Sequence, residues 1–389
     1  MTVYTAFVAC MAAYLHAQTV ELTLSAEEWG KLYALAKRQS LSGALYAATE
    51  GCAMPDAVRD RLRRDAFLTL SRYETQQQLL GELCDVLTAA DAAHLLFKGA
   101  VTRRYYRNPQ MRTMGDIDAA VPLSCRAIAD AALQANGFEK TEEQPEVWVY
   151  RKHGILLELH TVLRRYNCRT QDKEPYEELW ADARKKQGLT HHLSDEAEAA
   201  YTVAHMASHF CGGGCGIRQL MDTAVLYERF PDPALWEGVL ARLEPLALDR
   251  FARHMLWLCA TWFGVGVEDT LTLALDEETQ AQVCARMLDE GTFGTDDRRM
   301  LSRMRQERRL QKQGGKAGTF VRWLFPSPEY LRRQYAYAEK PWLLPAAYIH
   351  RMWDGVTKHR SKHQARLQYA KEHQDTLEAE VRLFEAIGL

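Results

Sequence analysis

The alternation of apolar and polar residues divides the chain into stretches of different character. Over roughly the first 90 residues the apolar positions recur at helical spacing. Trp29, Leu32, Leu35 and Ala36 follow Ser25 and Glu28, a pair that makes a capping box. A longer run after Pro55 passes through Leu62, Phe67, Leu70, Leu79, Leu83 and Leu87, with proline where a helix tolerates it best. The period then shortens. His94 to Phe97 reads as a short strand broken at Lys98-Gly99, with a helical turn through Tyr106 and a loop from Asn108 to Gly115. Asp116 to Val121 is a second strand, stopped by Pro122. Ser124 is placed to cap a helix ending at Asn136, with Gly137 beyond it. Val147–Tyr150 and Ile155–His160 read as a hairpin turning at His153-Gly154. From His191 to Glu228 one long helical period returns, bent at Gly212-Gly213-Gly214, and further helices follow Asp232. The pattern predicts an α+β protein: a helical N-terminal region over 1–90, a sheet-bearing core over 91–165 and a large helical C-terminal region over 166–389.

Composition narrows the class. With 389 residues, 47% hydrophobic and 26% charged, the chain can bury a large core and is not a disordered one. Nine scattered cysteines, odd in number and set mostly in apolar helical runs, fit a reduced cytoplasmic protein better than a disulfide framework. The apolar run Val3–Leu15 has no basic flank or cleavage site and is too short to span a bilayer, so it is expected to be a core helix, with no membrane partner. A net charge of -2 excludes a polyanion binder overall, yet residues 298–372 hold about 18 Lys and Arg against about 5 Asp and Glu. Interleaved with Trp323, Tyr330, Tyr335, Tyr337, Trp342, Tyr348 and Trp353, that stretch is either a set of core aromatics with solvated arginines or a surface for nucleic acid.

Chemistry concentrates between the two central strands. Asp116 and Asp118 stand two apart on a strand and so leave the same face, while Ile117 enters the core. Carboxylates so close repel unless a cation sits between them, and Mg²⁺ (or Mn²⁺) bound with a substrate phosphate is the natural partner. Glu158 shares its strand face with Leu156 and His160 and fits as a third carboxylate. The Lys98-Gly99 turn offers N–H groups and an ammonium to a triphosphate.

Leu96-Phe97-Lys98-Gly99, Tyr105-Tyr106, Asn108-Pro109, Arg112 and Gly115-Asp116-Ile117-Asp118, in this order and spacing, resemble the uncharacterised nucleotidyltransferase family of the DNA polymerase β superfamily. That superfamily carries a Gly-Ser turn before its Asp-x-Asp strand. Here, as in the family resembled, Lys-Gly takes its place, and a phosphate-binding hydroxyl is absent. The resemblance extends to His205, His209, Arg218 and Asp222, and loosely to Leu324-Phe325-Pro326 and to Pro345–Arg351. It implies a minimal nucleotidyltransferase sheet in which Asp116, Asp118 and Glu158 hold metal and carry catalysis. It also implies that Lys98, Gly99, Arg112, Gly115, Arg218 and Asp222 bind nucleotide.

His205 and His209, four apart on one helix face, precede Cys211 and Cys215. That set is either a zinc site, without the usual Cys-x-x-Cys knuckle, or a helix packed on the sheet. Arg218 and Asp222, also four apart, either face the pocket or pair with each other. The expected reaction is metal-dependent transfer of a nucleoside monophosphate from an NTP to an unknown acceptor (small molecule, protein or RNA), releasing pyrophosphate. The rivals are a non-catalytic nucleotide sensor on the same fold and an RNA-acting transferase.

Overall fold

The computed structural model describes residues 2–212, 214–290, 300–302, 304–305, 328, 331–332, 335, 337, 340–357 and 374–389. Trp323, Tyr330, the 324–326 segment, Gly213 and most of the basic stretch lie outside the described residues. The chain divides into two compact units, residues 1–295 with 386–389, and residues 296–385.

The first unit opens with helices α1 (Val3–Leu15), α2 (Ala26–Arg38), α3 (Ser42–Ala48) and α4 (Asp56–Ala89). The capping box is present: Ser25 accepts from the Glu28 N–H, and the Glu28 carboxylate accepts from the Ser25 N–H. α1 is buried along much of its length, Phe7, Cys10 and Met11 included. In α4 the expected stripe holds at Leu62, Leu79, Leu83 and Leu87 but fails at Phe67 and Leu70, which are exposed. A helix this long outruns the sheet it packs on, so among the described residues part of its apolar pattern has nothing to cover it.

Strand β1 (His94–Leu96) leads through the short helix α5 (Gly99–Thr102) to β2 (Asp116–Ala120). α6 (Arg126–Ala135), β3 (Glu139–Glu143), β4 (Val147–Lys152) and β5 (Ile155–His160) follow. Ser124 makes no cap, because a 3₁₀ turn at Leu123–Cys125 precedes the helix; Gly137 does take the left-handed conformation, φ 77°. His153 and Gly154 both have positive φ, which is what a two-residue hairpin turn requires.

The sheet does not stop near residue 165. A ribbon of β6 (Arg164–Asn167) and β7 (Asp172–Pro175) is followed by α7 (Leu179–Asp182), β8 (Ala183–Gln187) and β9 (Thr190–Leu193). β8 and β9 complete a mixed seven-stranded sheet of order β3-β4-β5-β2-β1-β9-β8. The stretch from His191 therefore begins as a strand and not as a helix: Thr190, His191 and His192 pair with β1 before Ser194 accepts from the Ala197 N–H at the start of α8 (Asp195–Gly212).

α9 (Ile217–Arg229), α10 (Pro233–Leu243), α11 (Asp249–Phe263) and α12 (Glu277–Glu290) complete the described helices of this unit. Ile387 and Leu389 at the chain's end are buried within it. In the second unit, α13 (Leu344–Thr357) and α14 (from Gln374) are described, with Tyr335 packed near Leu331 and Ala347 while Trp342 and Trp353 are exposed. No described helix is long and apolar enough to cross a membrane.

The two sheet faces bury different partners. Ile117, Ala119, Leu157 and Leu159 pack on Leu79, Leu83 and Leu87 of α4 and Leu133 of α6. Each leucine or isoleucine among them contributes about 1.5–3 kcal/mol by leaving water. Leu95, Phe97 and Ala120 pack on the other side against Leu163, Leu193, Ala197 and Tyr201. By alternation, Asp116 and Asp118 leave on this second side, toward α8.

Candidate active site

β2 and β5 run parallel with Asp116 opposite Leu156, Asp118 opposite Glu158 and Ala120 opposite His160. This register collects one face of each strand at the edge of a cleft of about 630 Å³. Lys98, Gly99, Asp116, Asp118 and Glu158 line one side; His205, His209, Arg218 and Asp222 of α8 and α9 line the other, with Arg112 and Gly115 also in the wall. All nine positions expected to hold metal or nucleotide therefore line one cavity, together with His205 and His209.

The carboxylates differ in circumstance. Burial alone would raise the Asp118 carboxyl, but the Lys98 ammonium, donating to Oδ1 at 2.7 Å, and His160 hold it below the usual range. Asp116 makes no ion pair among the described residues, and the Lys98 charge offsets its burial only in part. Burial, with Asp118 and Glu158 nearby, pushes its carboxyl up. Glu158 keeps about a third of its side chain exposed, 34%. Lys98 is itself unusual: its backbone takes φ 54° and ψ -132°, a region L residues seldom occupy and one that costs on the order of 1–3 kcal/mol. Burial works against its charge, and Asp118 more than offsets this, so its pKa is raised.

His160 joins this group without having been singled out, although its place on the Glu158 face was visible in the two-residue period. Its Nε2 lies 3.4 Å from Asp118 Oδ1 and 3.3 Å from Glu158 Oε2 yet hydrogen-bonds to neither. Asp118, Glu158 and His160 each offer one ligand atom within 4.8 Å of the others. An orphaned buried nitrogen beside two carboxylates is a donor set that fits a divalent cation, and Asp116 adds a third carboxylate to the same charge cluster.

The loop that carries Arg112 is braced from several sides. Arg112 donates from Nε and Nη2 to both oxygens of Asp222, at 3.1 and 2.6 Å, and from Nη1 to the Thr113 carbonyl. The Tyr106 hydroxyl donates to Asp222 as well, at 2.7 Å. Asp222 thus pairs with Arg112 and not with Arg218, because the loop brings in a nearer, bidentate partner. Arg218 donates from Nη1 to the Thr113 carbonyl and hydroxyl, both at 3.1 Å, and forms no ion pair among the described residues. Burial, and then Arg112, lower its pKa to about 10, which still leaves it charged. Gly99 is required by space: a Cβ there would meet Arg112 Nη1 and Met114 Sδ at 2.8 Å. Gly115 has open space around it, and its carbonyl accepts from Arg72 at 2.8 Å.

His205 and His209 do not build a zinc site with the two cysteines. Their Nε2 atoms hydrogen-bond to each other at 3.1 Å, Cys211 and Cys215 are buried, and the residues that gather as metal ligands, among those described, are Asp118, Glu158 and His160.

Residues 25–264 match the model of a family described as an uncharacterised nucleotidyltransferase. No curated protein matches. Among solved structures, the solution structure of the antibiotic-resistance factor ANT(2'')-Ia is similar over 44% of this chain and 92% of that one, at 14% identity and TM-score 0.35. The crystal structure of ANT(2'')-Ia in complex with adenylyl-2''-tobramycin is similar over 43% and 96%, at 14% identity and TM-score 0.34.

Proposed function

Since the chain belongs to the uncharacterised nucleotidyltransferase family, we propose that it moves a nucleoside monophosphate from an NTP to an acceptor, with release of pyrophosphate, at the cleft between β2, β5 and α8. The observation that carries this reading is the β2–β5 register, which sets Asp118 beside Glu158 with Asp116 on the same face. Among the described residues, three carboxylates there face a single close ammonium, that of Lys98, so the wall keeps a net negative charge that a metal-bound nucleotide would satisfy.

Asp116, Asp118, Glu158 and His160 are the residues that would hold Mg²⁺ or Mn²⁺. When bound, such an ion supplies charge neutralisation at the phosphates and a more acidic attacking oxygen. Lys98, now tied to Asp118, is placed to turn its ammonium to a phosphate once the carboxylate has another partner. Arg218, with donors to spare on the opposite wall, is assigned to the phosphates. Arg112 and Asp222, whose polar atoms are engaged with each other, position the loop between Lys98 and Asp116. Gly99 allows the close approach of that loop to the turn.

The test is NTP binding by calorimetry with and without divalent ions, alongside a screen for pyrophosphate release with each of the four NTPs. Binding is expected to require Mg²⁺ or Mn²⁺ and to be lost in the Asp116→Asn, Asp118→Asn double variant. Equal affinity in both proteins would sink the assignment.

A further inference from the structure

The carboxylate wall of the cleft has a role in this reading; the two histidines on the facing helix do not. Their hydrogen bonds determine their tautomers. His209 Nδ1 lies 3.2 Å from the carbonyl oxygen of Gly214, which only accepts, so Nδ1 carries a proton. Burial pushes His209 down to about 4, and burial followed by the Lys98 charge pushes His205 well below its ordinary value. Each ring is therefore neutral near pH 7 and holds a single N–H. His209 Nε2 is then a lone pair, and His205 Nε2, 3.1 Å away, must be the donor to it. That leaves the lone pair of His205 on Nδ1.

His205 Nδ1 bonds to no described residue, and His205 is partly exposed where it lines the cleft with Lys98, Asp118 and Glu158. Tyr201 stacks on the ring at 6.2 Å between centroids and itself meets Phe97 edge to face, which holds the imidazole over the sheet. The charged and titratable groups that bear on it are Lys98, His209, Lys173 and His160.

A bare nitrogen facing a reaction cleft is a poor neighbour for an anion and a good one for a group that must lose a proton. A phosphate or carboxylate acceptor is already ionised at neutral pH and calls for donors. An alcohol is not, and calls for a base. Building on the nucleotidyl-transfer reading above, we infer that the acceptor attacks through an alcohol hydroxyl and that His205 Nδ1 takes its proton, with His209 as a positioning residue.

As the acceptor oxygen bonds to the α-phosphorus, the hydroxyl proton passes to His205 Nδ1. The bond from the α-phosphorus to the bridging oxygen breaks, and pyrophosphate leaves with that electron pair. His205 becomes an imidazolium whose Nε2–H still points at His209, and it later returns the proton to solvent.

The experiment uses the full chain with magnesium and ATP, offering water and glycerol as hydroxyl probes and acetate and inorganic phosphate as anionic ones. AMP and pyrophosphate are expected from water, an AMP ester from glycerol, and no product on acetate or phosphate. His205→Gln keeps an N–H toward His209 and removes the base. It should bind magnesium–ATP within about threefold of wild type and lose roughly 10²–10⁴ in rate at pH 7. Its rate should climb about tenfold per pH unit as hydroxide replaces the missing base, whereas a packing role would leave the shape of the pH profile unchanged. Nitrogen-15 spectra of the wild type should show bare nitrogens at His205 Nδ1 and His209 Nε2.

Equal rates in His205→Gln and wild type, transfer to acetate or phosphate in place of the hydroxyls, or a protonated His205 Nδ1 would each overturn the inference. Bound magnesium–ATP with no turnover on water or glycerol overturns it too, and leaves nucleotide binding standing. Failure to bind magnesium–ATP at all removes instead the reading on which it rests.

Discussion

Glu198 sits on α8 behind the Lys98 turn with 3% of its surface exposed and one carboxyl oxygen that has no hydrogen-bond partner. Burial raises its pKa from 4.5 to about 8, against the opposing pull of the Lys98 backbone and the Thr102 hydroxyl. The folded pKa of this acid lies above the unfolded one, so its contribution to stability is complete below pH 4.5 and is lost as the pH climbs to about 8. The loss runs at about 1.4 kcal/mol per pH unit across that window. Glu198→Gln keeps an oxygen acceptor and cannot ionise. Urea denaturation should show it close to wild type at pH 5 and more stable, by a few kcal/mol, at pH 8; a difference independent of pH would count against a neutral Glu198.

The two arginines of the cleft should separate in the same kind of experiment. Arg112→Ala strands a buried Asp222 and should cost about 3–5 kcal/mol of stability. Arg218→Ala, which among the described residues breaks bonds only to Thr113, should leave the melting temperature nearly unchanged and weaken NTP binding. The reverse pattern would exchange their roles. Asp116, Asp118 and Glu158 were legible in the sequence because a period of two assigns a side chain to a face. That Arg112 belongs to Asp222 was not, since 110 residues separate the partners and no local pattern selects between them.

At the scale of elements, the turn between β1 and α5 is closely packed. Gly99 lies against Arg112 and Met114, and Asp222 prevents Arg112 from retreating. Gly99→Ala should therefore cost about 1–3 kcal/mol in denaturant and weaken nucleotide binding with it; an unchanged midpoint would mean that Met114 yields alone. Helix α2, the β4–β5 hairpin and the carboxylate strand were readable because each carries its own signal: a capping box, a turn with positive φ, an alternation. β9 was not. Thr190-His191-His192-Leu193 is short and polar, it runs straight into α8, and what makes it a strand is an edge of β1 that lies elsewhere in the sequence. α4 misleads in the opposite sense, since Phe67 keeps a core-like spacing where no described residue covers it.

For the whole molecule, no local pattern announces that the sheet reaches past residue 165 or that residues 386–389 rejoin the first unit. Both are consequences of long-range closure, which leaves no periodic mark. That closure also sets an order in time. β1 is buried on both faces, and one of its neighbours in the sheet is the parallel strand β9. A ribosome adding about 5–20 residues per second leaves β1 waiting roughly 5–20 s for that neighbour to be made. Throughout that interval His94-Leu95-Leu96 presents a segment destined for burial with one unpaired backbone edge, open to any extended segment nearby. The first strand of the sheet is thus a part of the nascent chain that needs shelter, and the cleft comes into being only when α8 emerges directly behind the strand that ends the wait.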